Sequence, residues 1–324
     1  MRLTILENKL ENLINSSSPY TNVIGIARSL LAIGTLLTLL TNDVAIFMPV
    51  RTDGVFINPL LQSPTAINQF NFFLLFGISN VFIAKWLAIL VLLVVISGYY
   101  PQVTSLLHWW INVSFIYFST VVDGGDHIAA IITLLLIPLC LSDPRRNHWF
   151  RQSNSRKSPL NIIGISSILL IRIQVAVVYL HAATGKFINN EWIDGTATYY
   201  WFNHSILGMS PLVSYFLNPI LSSGFGVTLI TYAVLVLELT LFAAIGMSAQ
   251  RRKWVFPFAI AFHGGIILVH GIFSFFFSMA ACLVLYLIDS RKDIAFKWKR
   301  APAALGEKAA IEYALSDLKT VQEG

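Results

Sequence analysis

Charged residues are scarce in this sequence, and their scarcity excludes an ordinary soluble protein. Only 12% of the 324 residues are Asp, Glu, Lys or Arg and 56% are apolar, whereas a soluble domain carries roughly 25% charged residues. A chain of this size cannot bury so much apolar surface in one water-soluble core. The composition therefore predicts an integral membrane protein, with the lipid bilayer around much of its surface.

Cysteine is nearly absent as well. Cys140 and Cys282 are the two in the chain, and both lie in apolar runs, so we expect buried, inert thiols and no disulfide framework. We also expect no cleavable signal peptide, because residues 1–22 are polar and the first apolar run contains Arg28. The net charge of +6 comes from short clusters between apolar segments. Such clusters indicate membrane topology and do not indicate nucleic-acid binding.

Eight apolar stretches are long enough to cross a bilayer, since a spanning helix needs about 20 apolar residues, with a range near 17–25. They are residues 23–40, 81–99, 102–122, 126–142, 160–183, 225–247, 254–270 and 272–288. As one helix, residues 254–288 would overshoot a hydrocarbon core of about 30 Å, and cations flank both ends, so we expect a hairpin with its turn at His270 and Gly271. The turn at 123–126 divides residues 102–142 in the same way. The predicted fold class is an all-α polytopic bundle of about eight transmembrane helices.

Lysine and arginine predict the orientation of this bundle. With both termini cytoplasmic, the cations gather on the cytoplasmic side and the positive-inside rule is met at every informative loop. We divide the chain into a cytoplasmic N-terminal segment (1–22), a transmembrane domain (23–290) and a cytoplasmic tail (291–324). Residues 41–80 form a long outer loop within the domain, and we expect its aromatic run 70–76 to lie on or dip into the membrane surface.

Ionisable groups inside a membrane are costly, so each of them is a functional hypothesis. Arg172 and Glu238 fall near the middles of two sequential antiparallel helices. This placement predicts a buried ion pair, with a structural role favoured over a catalytic one. Arg28 lies nearer a membrane end, where we expect its side chain to snorkel to the surface.

A polar stripe leads from Arg172 toward the outer face. If this helix continues to Lys186, then Arg172, Tyr179 and Lys186 recur every seven residues and share one face. Burial disfavours the charged form of an amine, so Lys186 is a candidate general base. Alternatively, Lys186 snorkels to lipid headgroups beside Trp192, as cations and aromatic residues do at interfaces. Spacing alone favours this second interpretation.

Other polar residues lie toward the same face. Asp126 is expected to cap the helix after the 123–126 turn, and His127 begins that helix. His263 and His270 share a face of a later helix, where packing roles are the expectation. A metal site is a further alternative, but no compact ligand motif such as HExxH occurs, so we predict no metal. The side chains that such a site would draw on are Asp123, Asp126, His127, Glu191, Asp194, His204 and His270.

One stretch resembles a known signature. Residues 178–200 read VYLHAATGKFINNEWIDGTATYY, which is similar to the Tyr–Gly–Lys–hydrophobic–Trp–Gly pattern of the HTTM membrane domain, shared with vitamin K-dependent gamma-carboxylases. The stretches GGDHIAAIITLLLIPLCLSD and AFHGGIILVHGIF fit the same pattern. The N-terminal stretch, ENKLENLINSSSPYTNVIGIARSLLAIGTLLTLL, is most similar to the sporulation-delaying protein B branch. The resemblance covers about residues 20–290.

This resemblance implies roles for two residues. Lys186 occupies the place of the lysine taken as the base that deprotonates reduced vitamin K, and His127 matches an assisting histidine. The implied cofactor is a reduced quinone or a vitamin K-like lipid, although the sequence itself identifies no cofactor. The Lys–Trp spacing is one residue longer here. The large lumenal domain of the carboxylases is also missing from this sequence, so we do not expect glutamate carboxylation.

Three classes of function follow. The bacterial branch implies a maturation factor for a secreted antimicrobial or toxin peptide in the cell membrane, with enzymatic activity left open. The second class is a non-catalytic scaffold that recruits a soluble partner. The third is a transporter, although paired broken helices and repeated halves are not evident. The expected partners are the lipid bilayer, a secreted peptide precursor and a co-encoded soluble or membrane-associated maturation protein, with no nucleic acid.

Accessibility in intact cells tests the predicted topology. Cysteines introduced at residues 55, 124 and 190 should react with an impermeant reagent from outside, whereas those at 152, 251 and 305 should not. Labelling at 190 only after lysis would place the Lys186 region in the cytoplasm and contradict the arrangement.

Overall fold

The helices of this protein occupy the positions that its apolar stretches predict. The computed structural model describes residues 18–47, 69–150 and 160–294, and no β-sheet forms within them. All but the last of these residues belong to the first of two units of the chain, Met1–Asp293; the second is Ile294–Gly324. The α-helices are α1 (Asn22–Thr41), α2 (Val44–Phe47), α3 (Val81–Ser97), α4 (Pro101–Phe118), α5 (Gly124–Leu141), α6 (Asn161–Lys186), α7 (Asn190–Ile193), α8 (Ala197–Phe202), α9 (Pro211–Leu221), α10 (Gly224–Ala243), α11 (Ala249–His270) and α12 (Phe273–Leu287). Short 3₁₀ turns are Phe72–Leu74, Ile78–Asn80 and Ala244–Gly246.

Among the described residues, six helical segments are long and apolar enough to cross a membrane, so the chain is a multi-pass membrane protein. They are Asn22–Thr41, Ile78–Ser97, Gly124–Leu141, Asn161–Lys186, Gly224–Gly246 and Ala249–His270. Two of the eight predicted spans, α4 and α12, do not meet this standard. Helix α12 has 15 residues, or about 22 Å at 1.5 Å per residue, which is less than a hydrocarbon core of about 30 Å. The count of eight spans therefore stays a prediction.

Short helix α12 is the centre of the bundle. It packs against α1, α5, α6 and α11, and every residue from Ser278 to Leu287 is buried. A helix that is apolar on all sides belongs in the interior of a bundle. Because α12 packs against four neighbours, it constrains their relative positions, including that of α6, which carries the polar stripe.

Two predicted turns are present. Gly271 adopts the left-handed conformation (φ 70°) that ends α11 and opens the hairpin to α12. At the start of α5, the Asp123 side chain accepts hydrogen bonds from the N–H groups of Gly125 and Asp126, while the Asp126 carboxylate accepts from Asp123 N–H. The cap is therefore Asp123, and the prediction that Asp126 caps the helix is corrected. Asp126 instead forms a capping box with Asp123, in which each side chain accepts a hydrogen bond from the backbone of the other residue.

The sequence predicts that the aromatic run 70–76 lies on or dips into the membrane surface, but part of this run is buried in the protein. Phe72 and Phe73 are buried, and the ring of Phe73 packs edge-on against Phe47. Asn71 holds them in place by donating to the Ser114 carbonyl of α4 at 3.0 Å. The hydrogen bond from Asn71 to the backbone of α4 therefore keeps this part of the run inside the protein.

Arg28 does not snorkel. It is 1% exposed, and its guanidinium donates to His148 Nδ1 and to Thr104 Oγ1, each at 2.8 Å. The His148 ring fits a slot left by glycines: a Cβ at Gly25 would lie 2.6 Å from the ring, and one at Gly98 would lie 2.8 Å from it. A snorkelling arginine would hydrogen-bond to water at the membrane surface. Arg28 instead hydrogen-bonds to His148, which lies in the connection between α5 and α6.

His148 makes folding stability depend on pH. Burial, together with the positive charges of Arg28 and Arg145, lowers the pKa of His148 from 6.5 to about 2. The unfolded chain binds more protons than the folded one below pH 6.5, so stability is complete above that pH and is lost as the pH falls toward 2. We expect this group to cost about 1.4 kcal/mol between pH 7.5 and 5.5, measured by denaturant unfolding of the purified protein in detergent.

The matched control is His148→Asn, which keeps an acceptor for Arg28 and does not titrate. Its stability should vary less between the two pH values than that of the wild type. Identical slopes for the two proteins would show that His148 does not carry the pH dependence.

Candidate functional site

Helix α6 carries the predicted polar stripe. It runs without interruption from Asn161 to Lys186, so the condition on which the stripe depends is met. Arg172, Tyr179 and Lys186 lie along this one helix, each about 10.5 Å further along its axis. Their three environments differ, however, because each faces a different neighbour.

Lys186 forms an ion pair with Glu238 of α10. Its Nζ donates to Glu238 Oε1 at 2.7 Å, to Oε2 at 2.8 Å and to the Ala182 carbonyl at 3.0 Å. The side chains of Lys186 and Glu238 are 20% and 6% exposed. The amine also lies 5.1 Å from the centre of the Trp192 ring. All three N–H groups of a lysine ammonium thus have acceptors, and an aromatic face covers one side of the charge.

The direction of the Lys186 side chain argues against a headgroup anchor. Helical side chains lean toward the N-terminus of their helix, and the bond from Nζ to Ala182 spans four residues backward along α6. The amine therefore turns back along α6 and not outward past its end. Trp192 is beside it, as the sequence predicts, but the charge is held by a buried carboxylate.

Arg172 and Glu238 do not pair, so the predicted mid-membrane ion pair is wrong. Arg172 donates from Nε to the Leu285 carbonyl at 3.4 Å and from Nη2 to the Ile288 carbonyl at 3.3 Å. Those carbonyls belong to the C-terminal end of α12, where a cation is favourable. Arg172 and Glu238 each lie near the middle of their helix, but they face different partners. Arg172 lies beside the C-terminal end of α12, whereas Glu238 faces Lys186.

A second polar pair lies deeper along the stripe. The Tyr179 hydroxyl and His263 Nε2 of α11 are 2.9 Å apart, and each residue is 2% exposed. His263 Nδ1 is buried without a hydrogen-bond partner in the described part of the chain. The sequence identifies all of these residues but not which of them meet.

His127 is not joined to Lys186. It is exposed on the first turn of α5, and within the described ranges no hydrogen bond or ion pair links the two residues. His270 interacts elsewhere, with its Nδ1 2.6 Å from the Leu207 carbonyl. The role of His127 thus stays a prediction from the family resemblance.

The side chains suggested as a metal site do not converge. Among residues 18–47, 69–150 and 160–294, no three His, Cys, Asp or Glu side chains lie close enough to share a metal ion. Asp123 and Asp126 are used in the capping box, and Asp123 Oδ2 also accepts from Ser274 Oγ at 2.9 Å. Asp123 and Asp126 therefore serve the start of α5.

Two curated proteins of Bacillus subtilis (strain 168) are similar to this chain. Sporulation-delaying protein SdpB is 34% identical over 292 residues, which cover 90% of this chain and 88% of that protein. The uncharacterized protein YitO is 34% identical over 287 residues, which cover 87% of this chain and 90% of that protein. No family model matches the chain, and no solved structure matches it significantly. The similarity to the HTTM domain and the gamma-carboxylases thus stays a prediction.

A double-mutant cycle tests the Lys186–Glu238 contact. Removing one partner leaves the other charge buried and uncompensated, so Lys186→Gln and Glu238→Gln should each destabilise the protein. The double variant leaves no unpaired charge, so it should be destabilised by less than the sum of the two single effects. We expect a coupling of about 0.5–3 kcal/mol, measured by unfolding in detergent.

The control cycle replaces Lys186→Gln with Arg172→Gln. These two sites do not touch, so their effects should add within about 0.3–0.5 kcal/mol. A larger coupling for Arg172 than for Lys186 would contradict the pairing described above.

Proposed function

The chain belongs to the family of the sporulation-delaying protein SdpB, and from this premise we propose that it is a maturation factor for a secreted peptide toxin, embedded in the bacterial plasma membrane. SdpB is named for a sporulation-delaying protein, and the similarity extends over nearly the whole of both chains. We propose eight spans with both termini cytoplasmic, which places the Lys186 end of α6 at the outer face. The domain bounds are those stated from the sequence: 1–22, 23–290 and 291–324.

The observation that carries a catalytic role is the Lys186–Glu238 ion pair. It is the one amine–carboxylate contact within the described membrane helices, and Lys186 occupies the place of the base in the carboxylase signature. A buried pair costs desolvation energy that a well-packed apolar pair would not. Its presence in a largely apolar bundle therefore supports a chemical use, with proton transfer as the proposed chemistry.

In the proposed proton transfer, Glu238 takes up the proton that Lys186 must lose before it can act as a base. In the resting state, Lys186 is an ammonium and Glu238 a carboxylate. Movement of one proton along the 2.7 Å N–O contact gives a neutral amine and a neutral carboxylic acid. The neutral Lys186 then accepts a proton from the substrate, and Glu238 later releases its proton to water, which restores the ion pair. Glu238 thus makes Lys186 available as a base.

The substrate would supply the acidic proton. By resemblance, a reduced quinone or a vitamin K-like lipid is one source, and it would reach Lys186 from the bilayer. The secreted peptide precursor and a co-encoded maturation protein are the proposed partners. His127 would assist from α5 only if substrate bridges the two residues, because they make no direct contact.

A non-catalytic scaffold is the second candidate, and one observation favours it. The connection between α6 and α10 carries exposed aromatic side chains on α8 and α9, which suit contact with a partner or with the lipid interface. They are Tyr199, Tyr200, Trp201, Tyr215 and Phe216. In this case the Lys186–Glu238 pair would only join α6 to α10.

Lys186→Arg separates the two functions. Arginine keeps the positive charge and can still pair with Glu238, but its guanidinium stays protonated at any relevant pH. A base cannot tolerate this change, so mature peptide should fall by about 10²-fold or more, the lower range for loss of general base catalysis. The measurement is mature peptide per unit of membrane-inserted protein, with Lys186→Ala alongside.

Lys85 provides the matched control. It is a buried lysine of α3 that donates to the Asn42 carbonyl at 2.8 Å, so Lys85→Arg makes the same chemical change away from the pair. Maturation per unit of protein should be kept in this variant. Full product from Lys186→Arg would reject the base and favour the scaffold.

A further inference from the structure

Arg252 is the exception among the buried arginines of the described residues. Arg28 donates to His148 and Thr104, and Arg145 forms an ion pair with Asp143 at 2.7 Å. Arg252, on the first turns of α11, is 8% exposed, yet its Nε has no hydrogen-bond partner. Within the described ranges no carboxylate pairs with it. A buried guanidinium without an anion is costly unless something supplies the opposite charge.

A second cation, Arg172, increases the free-energy cost of burying Arg252. Arg252 lies close enough to Arg172 for their like charges to repel. Arg172 is partly satisfied by the carbonyls of Leu285 and Ile288 at the end of α12, and this contact accounts for its position. No comparable contact accounts for Arg252.

The neighbouring carboxylate is already engaged. Asp289 interacts with Arg172 at longer range, but both of its oxygens accept from Arg291, at 2.9 and 3.2 Å. Those hydrogen bonds lower the pKa of Asp289. The arginines at positions 172, 252 and 291 carry three positive charges against one negative charge, so the cluster has net charge of +2.

Backbone dipoles add to the positive potential. Arg252 lies near the N-terminal end of α11, which begins at Ala249, and a helix N-terminus favours an anion and disfavours a cation. Exposed Arg251 and Lys253 flank Arg252, and Trp254 beside them is 71% exposed, a combination typical of a membrane interface.

We infer that Arg172 and Arg252 bind a phosphate ester anion between the start of α11 and the end of α12. Guanidinium groups bind phosphate through paired N–H donors, and basic pockets between transmembrane helices bind anionic lipid headgroups. The headgroup of an anionic phospholipid and free phosphate are the two sources of this chemistry. The site is independent of the Lys186–Glu238 pair and does not rest on the proposed function.

The test uses the full-length protein in neutral detergent at constant ionic strength. The thermal unfolding midpoint is measured with phosphatidylglycerol, with phosphatidylcholine and with inorganic phosphate, for the wild type, Arg252→Gln and Arg251→Gln. Arg251→Gln is the control, because it removes the same charge from an exposed neighbour. We expect phosphatidylglycerol to raise the midpoint of the wild type and of Arg251→Gln, and its affinity to fall about tenfold in Arg252→Gln, equivalent to about 1.4 kcal/mol.

Without an added anion, Arg252→Gln should be at least as stable as the wild type, because an unpaired buried charge has been removed. A response to inorganic phosphate with the same dependence on Arg252 would assign free phosphate as the ligand, and a response to phosphatidylglycerol alone would assign the lipid. Equal responses in all three proteins, or none, would overturn the site. Native mass spectrometry of the wild type in mixed micelles is a check that needs no variant. Retention of phosphatidylglycerol and phosphatidylcholine in their bulk ratio would also overturn the site.

Discussion

A charge inside this bundle must find its partner in the protein or in a bound ligand, because hydrocarbon offers no hydrogen bonds and the bilayer excludes water. The described structure meets this constraint in several ways. Lys186 uses a carboxylate and a backbone carbonyl, Arg172 uses the carbonyls at the end of a helix, and Arg28 uses a histidine from a connecting segment. The positions of the connections and of the short helix α12 follow from these requirements as much as from apolar packing.

Helix α12 connects the two polar regions of the molecule. Near its start, Ser274 donates to the capping box of α5, and at its end the carbonyls of Leu285 and Ile288 hold Arg172. Because nearly all of its later residues are buried, a change in its packing would move α1, α5, α6 and α11 together. The polar pairs of α6 therefore pack around a buried centre, which suits the positioning that the proposed proton transfer would need.

Membership of the SdpB family and the ion pair support the proposed function in different ways. The family supports the biological context of the proposal, peptide maturation, and says nothing about which atoms react. The pair gives a chemical capacity, proton exchange between an amine and a carboxylate, and does not identify a substrate. The resemblance of residues 178–200 to the carboxylase signature would join the two, because it implies a base at the same lysine.

The apolar pattern of the sequence determined the helices, since length and hydropathy decide which segments a bilayer accepts. The glycine that ends α11 determined the α11–α12 hairpin. Helical periodicity determined that Arg172, Tyr179 and Lys186 share one face of α6. Only the tertiary structure decided the partners: Glu238 meets Lys186 and not Arg172, Tyr179 meets His263, and Arg28 meets His148. Periodicity places a side chain on a face of its helix. The tilt, depth and end of the neighbouring helix, which no local pattern encodes, decide what that face touches.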